Sequence, residues 1–358
     1  MEKFSRWNDK GTGINPFAPS RGSLRSRKGV SAARYVAGVV LGIVRFPLLS
    51  IVGAIICLVD GLQLLLPMWP WRIVIRWILL CPLCRVALLL MGYWSIEERR
   101  PDARRLRLPK GKLSQKALQF GSDVRAGDVI VCNHTSFVEI LYLTARFGAD
   151  FCSSDIGSDG LVRRASVVET IMASMWPPSR KKAPVVASLR ELAGQASLRS
   201  GAPLVVLPEG TGVRSNGSAL LEFTKPAVCA LDIAAKGKEC SVRIHLFGFK
   251  YDCSASKFSP SYTVGHGVEY AARSCFYLSH SLSVRHLSHA LRTGGKSPSR
   301  MTDEEKERVA SVSGLRKLLA SIVGARGVKC VALGVNEYVT FLDYWQEQAN
   351  GSSRTKEE

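Results

Sequence analysis

A stretch of 22 residues, 46–67, carries Asp60 as its sole charge, and it constrains this chain more than any other feature. At about 1.5 Å per residue, a helix of that length reaches across a hydrocarbon core of about 30 Å. Apolar character begins near Tyr35. After a turn holding Pro67, Trp69, Pro70 and Trp71, a second run, 72–94, is apolar apart from Arg72, Arg76 and Arg85. Pro82 is expected to kink it. Both outer flanks are basic: the first 34 residues hold eight Lys or Arg against two acidic residues, and 97–112 hold seven against three. Basic flanks stay cytosolic, so the two runs form a hairpin that either spans twice or re-enters from one leaflet. The turn, with two prolines, two tryptophans and no charge before Arg72, suits the re-entrant form better than a translocated loop.

A net charge of +20 implies acidic partners, and 46% hydrophobic residues favour an anionic membrane surface or phosphorylated small molecules over nucleic acid. No basic-aromatic recognition motif for nucleic acid is present. Ten cysteines without regular spacing read as free thiols of a reducing compartment. Cys81 and Cys84 form a C-x-x-C with no second Cys or His pair at zinc spacing, so no metal site is expected. The N-terminal segment, rich in Gly, Ser and Pro, reads as a flexible basic arm and not as a secretory signal.

Beyond the hairpin, strand-like runs at 128–133, 203–207, 242–249, 282–287 and 328–333 alternate with helical patterns at 136–146, 161–176, 185–198, 226–235, 268–279, 303–323 and 336–348. The alternation predicts an α/β fold, a mixed sheet flanked by helices, preceded by an N-terminal membrane-embedded helical hairpin. The expected organisation is a basic arm (1–34), hairpin (35–95), juxtamembrane linker (96–112), α/β domain (113–348) and polar tail (349–358).

Two stretches carry chemistry. In the first, a buried strand runs into Asn133, His134, Thr135 and Ser136, then a helix with Glu139 in its first turn. Residues five apart on one helix do not meet. If Thr135 or Ser136 caps the helix, however, His134 precedes it and folds back toward Glu139, giving a base whose tautomer a carboxylate fixes. In the second, a buried strand opens into Glu209, Gly210, Thr211, Gly212, Val213, Arg214, Ser215, Asn216 and Gly217, a loop able to bring backbone N–H groups to an anion, with Arg214 as a bidentate donor. Neither a Walker pattern nor a G-x-S-x-G elbow occurs. The remaining histidines, 245, 266, 280, 286 and 289, read as structural.

Taken together, N-H-x4-E at one strand end and P-E-G-T about 70 residues later, behind a basic hairpin, resemble the glycerolipid acyltransferase family over roughly residues 110–345. The branch they resemble most is the lysophosphatidic acid:oleoyl-CoA acyltransferases, through Ser215, Asn216 and Gly217, then Leu220, Leu221 and Phe223, and a C-terminal aromatic block from Phe341 to Trp345. The resemblance implies a membrane-bound enzyme that moves an acyl group from acyl-CoA, a co-substrate and not a bound cofactor, to a lysophospholipid hydroxyl, most simply lysophosphatidic acid. His134 is the implied base and Glu139 its orienter. Glu209, Gly210, Thr211, Arg214, Ser215, Asn216 and Gly217 are the implied substrate-binding residues, with Asn133, Arg164 and Lys182 as further oxyanion or phosphate candidates. This chain has Glu139 where the family has Asp, and two residues, Gly212 and Val213, precede the arginine. The family's glycine-phenylalanine-x-x-arginine block is not recognisable, which leaves Arg163, Arg164, Lys181 and Lys182 as candidates for its cationic role. The alternative is an inactive relative that binds or shapes anionic membranes. A cytosol-facing place on endoplasmic reticulum or lipid droplets fits either.

Overall fold

The computed structural model describes residues 4–19, 32–65, 69–99, 101, 121, 123–153, 162–176, 188–236, 243–252, 261–287 and 312–354. Lys181, Lys182, His289 and most of the linker at 102–112 lie outside the described residues.

The first apolar run forms α1 (Ala32–Leu65). The second forms α2 (Trp69–Ile75), a π-helical turn (Arg76–Leu80) and α3 (Cys81–Leu90). Pro82, where a kink is expected, is the second residue of α3, and the π turn stands just before it, where the hydrogen-bond ladder meets a residue that cannot donate to it. A strand β1 (Ile96–Arg99) follows, so the start of the presumed linker is an edge strand. The α/β order continues with β2 (Val129–Cys132), α4 (Phe137–Phe147), β3 (Asp150–Ser153), β4 (Arg163–Ala165), α5 (Val167–Met175), α6 (Leu189–Ser200) and β5 (Leu204–Val206). It ends with β6 (Ala219–Leu220), α7 (Lys225–Lys236), β7 (Ile244–Tyr251), α8 (Gly267–Cys275), β8 (Leu282–Leu287), α9 (Val312–Ile322), β9 (Lys329–Cys330) and α10 (Val335–Arg354). Helix α10 runs on into the segment expected as a polar tail.

Seven strands form one mixed sheet in the order β1-β8-β7-β2-β5-β3-β4, and β6 pairs with β9 apart from it. The central β7-β2-β5-β3 strands are parallel, while β7/β8 and β3/β4 are antiparallel. Central parallel strands are covered on both faces, which is why β2 and β5 read as continuous apolar runs. Successive side chains alternate: Ile130 and Cys132 face a core shared with the hairpin, α4, α5 and α8, and Val129 and Val131 face one shared with α6, α7 and α9.

The hairpin is therefore part of the domain core. Leu80, Cys84, Leu88, Met91 and Tyr93 are fully buried there, and at about 1.5–3 kcal/mol per large apolar side chain the helices cannot swing free. Polar ties reinforce this. Asp60, the lone charge of the first run, accepts the Val168 N–H at 3.0 Å and so caps α5 from outside. Arg76, 4% exposed, meets Asp150 at 2.6 Å, donates to the Gly148 and Ala149 carbonyls, and donates to Gln63 on α1. Near the other end of α1, Arg45 donates to the Tyr277 carbonyl at 2.8 Å. Gly38 and Gly42 lie so close to Phe276 that an added Cβ would fall 2.6 and 2.5 Å from its atoms. The opposite face of α1 is apolar and bare, with Val40, Ile43, Ile51, Leu58, Leu62 and Leu65 exposed. Two helical stretches, Val36–Gln63 and Pro70–Leu90, are long and apolar enough to cross a membrane.

Residues 4–19 do not form a loose arm. Trp7 and Phe17 are buried in a third cluster with Val213, Leu221, Tyr338 and Phe341, against α10 and the loop after β5.

Candidate active site at two adjacent strand ends

Strands β2 and β5 are parallel neighbours, so the loops leaving their carboxyl ends lie side by side. Ligand sites in open α/β sheets gather there. Ser136 is the N-cap of α4, its hydroxyl accepting the Val138 N–H, which leaves His134 just before the helix. From there His134 folds back, and its Nδ1 lies 2.9 Å from Glu139 Oε2. Both side chains are wholly buried.

Four donors converge on the Glu139 carboxylate. Besides His134 Nδ1–H, the Thr135 N–H donates at 3.0 Å, the Thr135 hydroxyl at 2.5 Å and the Tyr251 hydroxyl at 3.2 Å. An ionised carboxylate is an acceptor only, and this set of donors suits that form. It also sets the imidazole: with Nδ1–H given to Glu139, the lone pair of the neutral ring sits on Nε2. Nε2 is buried and meets no hydrogen-bonding partner among the described residues. Burial, with Glu139 next in importance, pushes the Tyr251 hydroxyl well above its ordinary value, so it remains a donor. Thr135 and Tyr251 were not legible as site residues, because a hydroxyl at a cap and a tyrosine at a strand end occur in many loops without chemistry.

The second motif meets the first through Glu209. Its Oε2 accepts the His134 backbone N–H at 2.9 Å and its Oε1 accepts the Leu221 N–H at 2.6 Å, so this carboxyl braces both loops. Burial raises its pKa to about 7 against the opposing pull of those two N–H groups. Gly210 turns the chain with φ +104°, a conformation that favours glycine. Thr211 is buried with its hydroxyl 3.4 Å from that of Ser153, at the end of β3.

The other expected binding residues are spent differently. Arg214 is entirely buried: Nε donates to the Tyr338 hydroxyl at 3.1 Å, Nη1 to the Gly265 carbonyl at 3.2 Å, and the guanidinium lies over the Tyr262 ring. Nη2 is buried and meets no partner among the described residues. The Ser215 carbonyl accepts from Ser261. Asn216 bonds to residues 15, 16 and 18 and contributes no side-chain donor to His134. The Gly217 carbonyl accepts from Lys250 at 2.7 Å. Asn133 exchanges two hydrogen bonds with the Phe249 backbone, joining β2 to β7 instead of offering an oxyanion donor. Arg164 is not at this site. It donates to Asp150 and Ser200 and lines a polar cavity of about 170 Å³ with Asp60, Gln63, Arg72 and Arg76, at the amino end of β3. Arg163 pairs with Glu169.

Among the described residues, Asp123, His245 and His286 alone cluster closely enough to hold a metal ion. Their rings are already committed. Gly121 N–H donates to His286 Nδ1, which places the proton on Nε2 for His245 Nδ1 3.1 Å away, and His245 Nε2 donates in turn to Asp128. Burial, with His245 second, lowers the His286 pKa to about 3, in keeping with a neutral His286 ring that joins β8 to β7.

Comparison with curated proteins matches the chain to a Schizosaccharomyces pombe protein provisionally named lysophosphatidic acid:oleoyl-CoA acyltransferase, with 27% identity over 226 residues, 63% of this chain and 67% of that protein. No family model matches, and no solved structure matches significantly. The chain is thus similar to the acyltransferase branch that its two motifs resemble.

Proposed function

We propose that this protein is a membrane-bound acyltransferase that moves a fatty acyl group from acyl-CoA to the free hydroxyl of lysophosphatidic acid, giving phosphatidic acid. The observation that carries the proposal is the buried His134–Glu139 pair with Nε2 unpartnered, on a chain similar to a protein named for that reaction.

The acceptor hydroxyl gives its proton to His134 Nε2 as its oxygen attacks the thioester carbonyl carbon. Glu139 supports the resulting imidazolium through Nδ1–H. Collapse of the tetrahedral intermediate breaks the carbon–sulfur bond, and the departing CoA sulfur takes the proton from Nε2, so His134 ends as it began. Glu209 holds the His134 backbone in place, and its loop with Gly210 and Thr211 walls the same strand-end site.

The hairpin supports a place at the membrane. Because α1 is tied to the domain at Gly38, Arg45, Asp60 and Gln63 and its opposite face is bare and apolar, these contacts support a hairpin that lies in the plane of one leaflet with that face toward the lipid. The acceptor then arrives laterally in the leaflet and acyl-CoA from the cytosol, at the surface of endoplasmic reticulum or a lipid droplet. Both substrates are anionic, and a chain of net charge +20 attracts both.

The test is transfer of labelled oleoyl from oleoyl-CoA by membranes holding wild type or His134→Ala, with lysophosphatidic acid, lysophosphatidylcholine, lysophosphatidylinositol and glycerol 3-phosphate as separate acceptors. Transfer to lysophosphatidic acid that is lost in the variant is the expected result. Transfer to no acceptor by folded, membrane-bound wild type would refute catalysis and favour the lipid-binding alternative.

A further inference from the structure

The segment 4–19 is folded by its own polar side chains. Asp9 Oδ2 accepts the N–H and hydroxyl of Thr12, both at 2.8 Å, while its Oδ1 accepts the Ala332 N–H at 2.9 Å, anchoring the segment beside β9. Asn15 Oδ1 accepts the N–H groups of Phe17 and Ala18, and its amide donates to the Phe4 carbonyl. That turn aims three backbone carbonyls at one residue of the substrate loop. Asn216 donates its backbone N–H to Pro16 at 2.8 Å and its side-chain amide to Asn15 and Ala18, each at 3.0 Å.

A second line of contact reaches the same loop. Phe17 packs on Tyr338 with ring centroids 5.4 Å apart, and the Tyr338 hydroxyl accepts from Arg214 while donating to the Thr263 carbonyl. Trp7 lies edge-on to Phe341, and Phe4 stacks on Trp345, so the C-terminal aromatic block serves as the seat of this segment. The loop is held at its near end by Glu209 on the His134 backbone, and at its far end Gly217 comes close to Thr135, where an added Cβ would lie 3.8 Å from the threonine methyl.

We infer that residues 4–19 form a positioning strap for the substrate loop, with Asn216 as its latch: the strap holds residues 211–217 in the conformation that receives the lysophospholipid acceptor. The inference rests on the proposed acyl transfer for its kinetic consequence, but the physical coupling of strap to loop stands apart from it. Asn216 and Phe17 are positioning residues that act through the loop, leaving proton transfer to His134.

The test compares full-length Asn216→Ala, Asn216→Asp and Phe17→Ala with wild type by hydrogen exchange at residues 210–217 and by steady-state kinetics. Removing the latch is expected to speed exchange in the loop and to raise KM for the lysophospholipid about tenfold, with kcat within about twofold and KM for acyl-CoA unchanged. Asn216→Asp keeps the side-chain shape but sets an acceptor oxygen against the Asn15 and Ala18 carbonyls, so it is expected to loosen the loop at least as much as Asn216→Ala does. Asn216 is only partly buried, so its variants keep the core even if Phe17→Ala does not fold. Unchanged loop exchange in folded Asn216 variants overturns the inference, and so does a rise in kcat, which would make the strap a brake. If wild type transfers nothing, the functional proposal fails by itself, and loop exchange alone then decides the strap.

Discussion

Replacing Glu139 by Gln tests whether the carboxylate charge, and not merely an acceptor atom, supports His134. One amide orientation puts NH2 against His134 Nδ1, which would force the ring proton onto Nε2. The other puts NH2 where Oε1 now faces the hydroxyls of Thr135 and Tyr251, which can rotate to accept, while the Thr135 N–H keeps the remaining oxygen at 3.0 Å. The second orientation preserves every donor to the remaining oxygen, including His134 Nδ1–H at 2.9 Å. The variant therefore keeps its tautomer and its fold and loses the charge that supports the imidazolium. A hydrogen bond to a charged group is worth about 1.5–3 kcal/mol, and at about 1.4 kcal/mol per decade that is roughly 10- to 150-fold in rate. The assay is initial velocity of oleoyl transfer at matched protein content, with thermal unfolding as the control. Wild-type velocity in Glu139→Gln would refute the role given to the pair. A loss of about 10⁴-fold with unchanged unfolding would show instead that the amide took the first orientation and inverted the tautomer.

Three further outcomes are expected. Arg76→Met leaves Asp150 buried with Arg164 as its cationic partner; burial pushes the Asp150 carboxyl up and the two arginines hold it below its ordinary value, so losing one is expected to cost about 3 kcal/mol by urea unfolding in detergent. Gly38→Ala and Gly53→Ala make the same change on one helix, where propensity alone favours alanine by about 1 kcal/mol; Gly53 has open space and should gain stability, whereas at Gly38 the Phe276 carbonyl oxygen lies 2.6 Å from the new Cβ, so a loss is expected in the same thermal scan. For Glu209 the folded pKa of about 7 lies above the ordinary 4.5, so the folded state binds the extra proton and wild-type stability falls as pH rises from about 4.5 to 7; Glu209→Gln is expected to flatten that slope in unfolding midpoints taken across the window.

The fold was legible where the local pattern and the tertiary role coincide. Strands β2 and β5 are runs of apolar residues in the sheet and β8 sets Leu282, Val284 and Leu287 among polar residues, and each was visible within a residue or two of its observed bounds. Strand β4 was read as the start of a helix because Arg163, Arg164 and Ala165 carry no strand signal of their own; they pair because β3 lies alongside. Strand β1 hid among the charges of the presumed linker for the same reason. The His134–Glu139 contact was legible since a cap at Ser136 dictates it locally. The fates of Arg214 and Asn216 were not, because they depend on Tyr338 and on Asn15, respectively 124 and 201 residues away in sequence.

The same distinction accounts for the two ends of the chain. The N-terminal segment was read as loose because its Gly, Pro and basic residues cannot build a core by themselves, and it does not build one: Trp7 and Phe17 borrow theirs from α10. The hairpin shows the converse. Its composition announces a membrane segment, yet one side of it is packed into the core of the α/β domain, and its one acidic residue, Asp60, is consumed at the start of α5. A lone carboxylate in an apolar run is costly unless it is partnered. Its partner is a helix N-terminus of the α/β domain, so the charge that looks most out of place in the membrane reading is one that fixes the hairpin to the domain, and it favours the proposed arrangement in which the helix lies along that domain over one in which it leaves the domain to cross a bilayer.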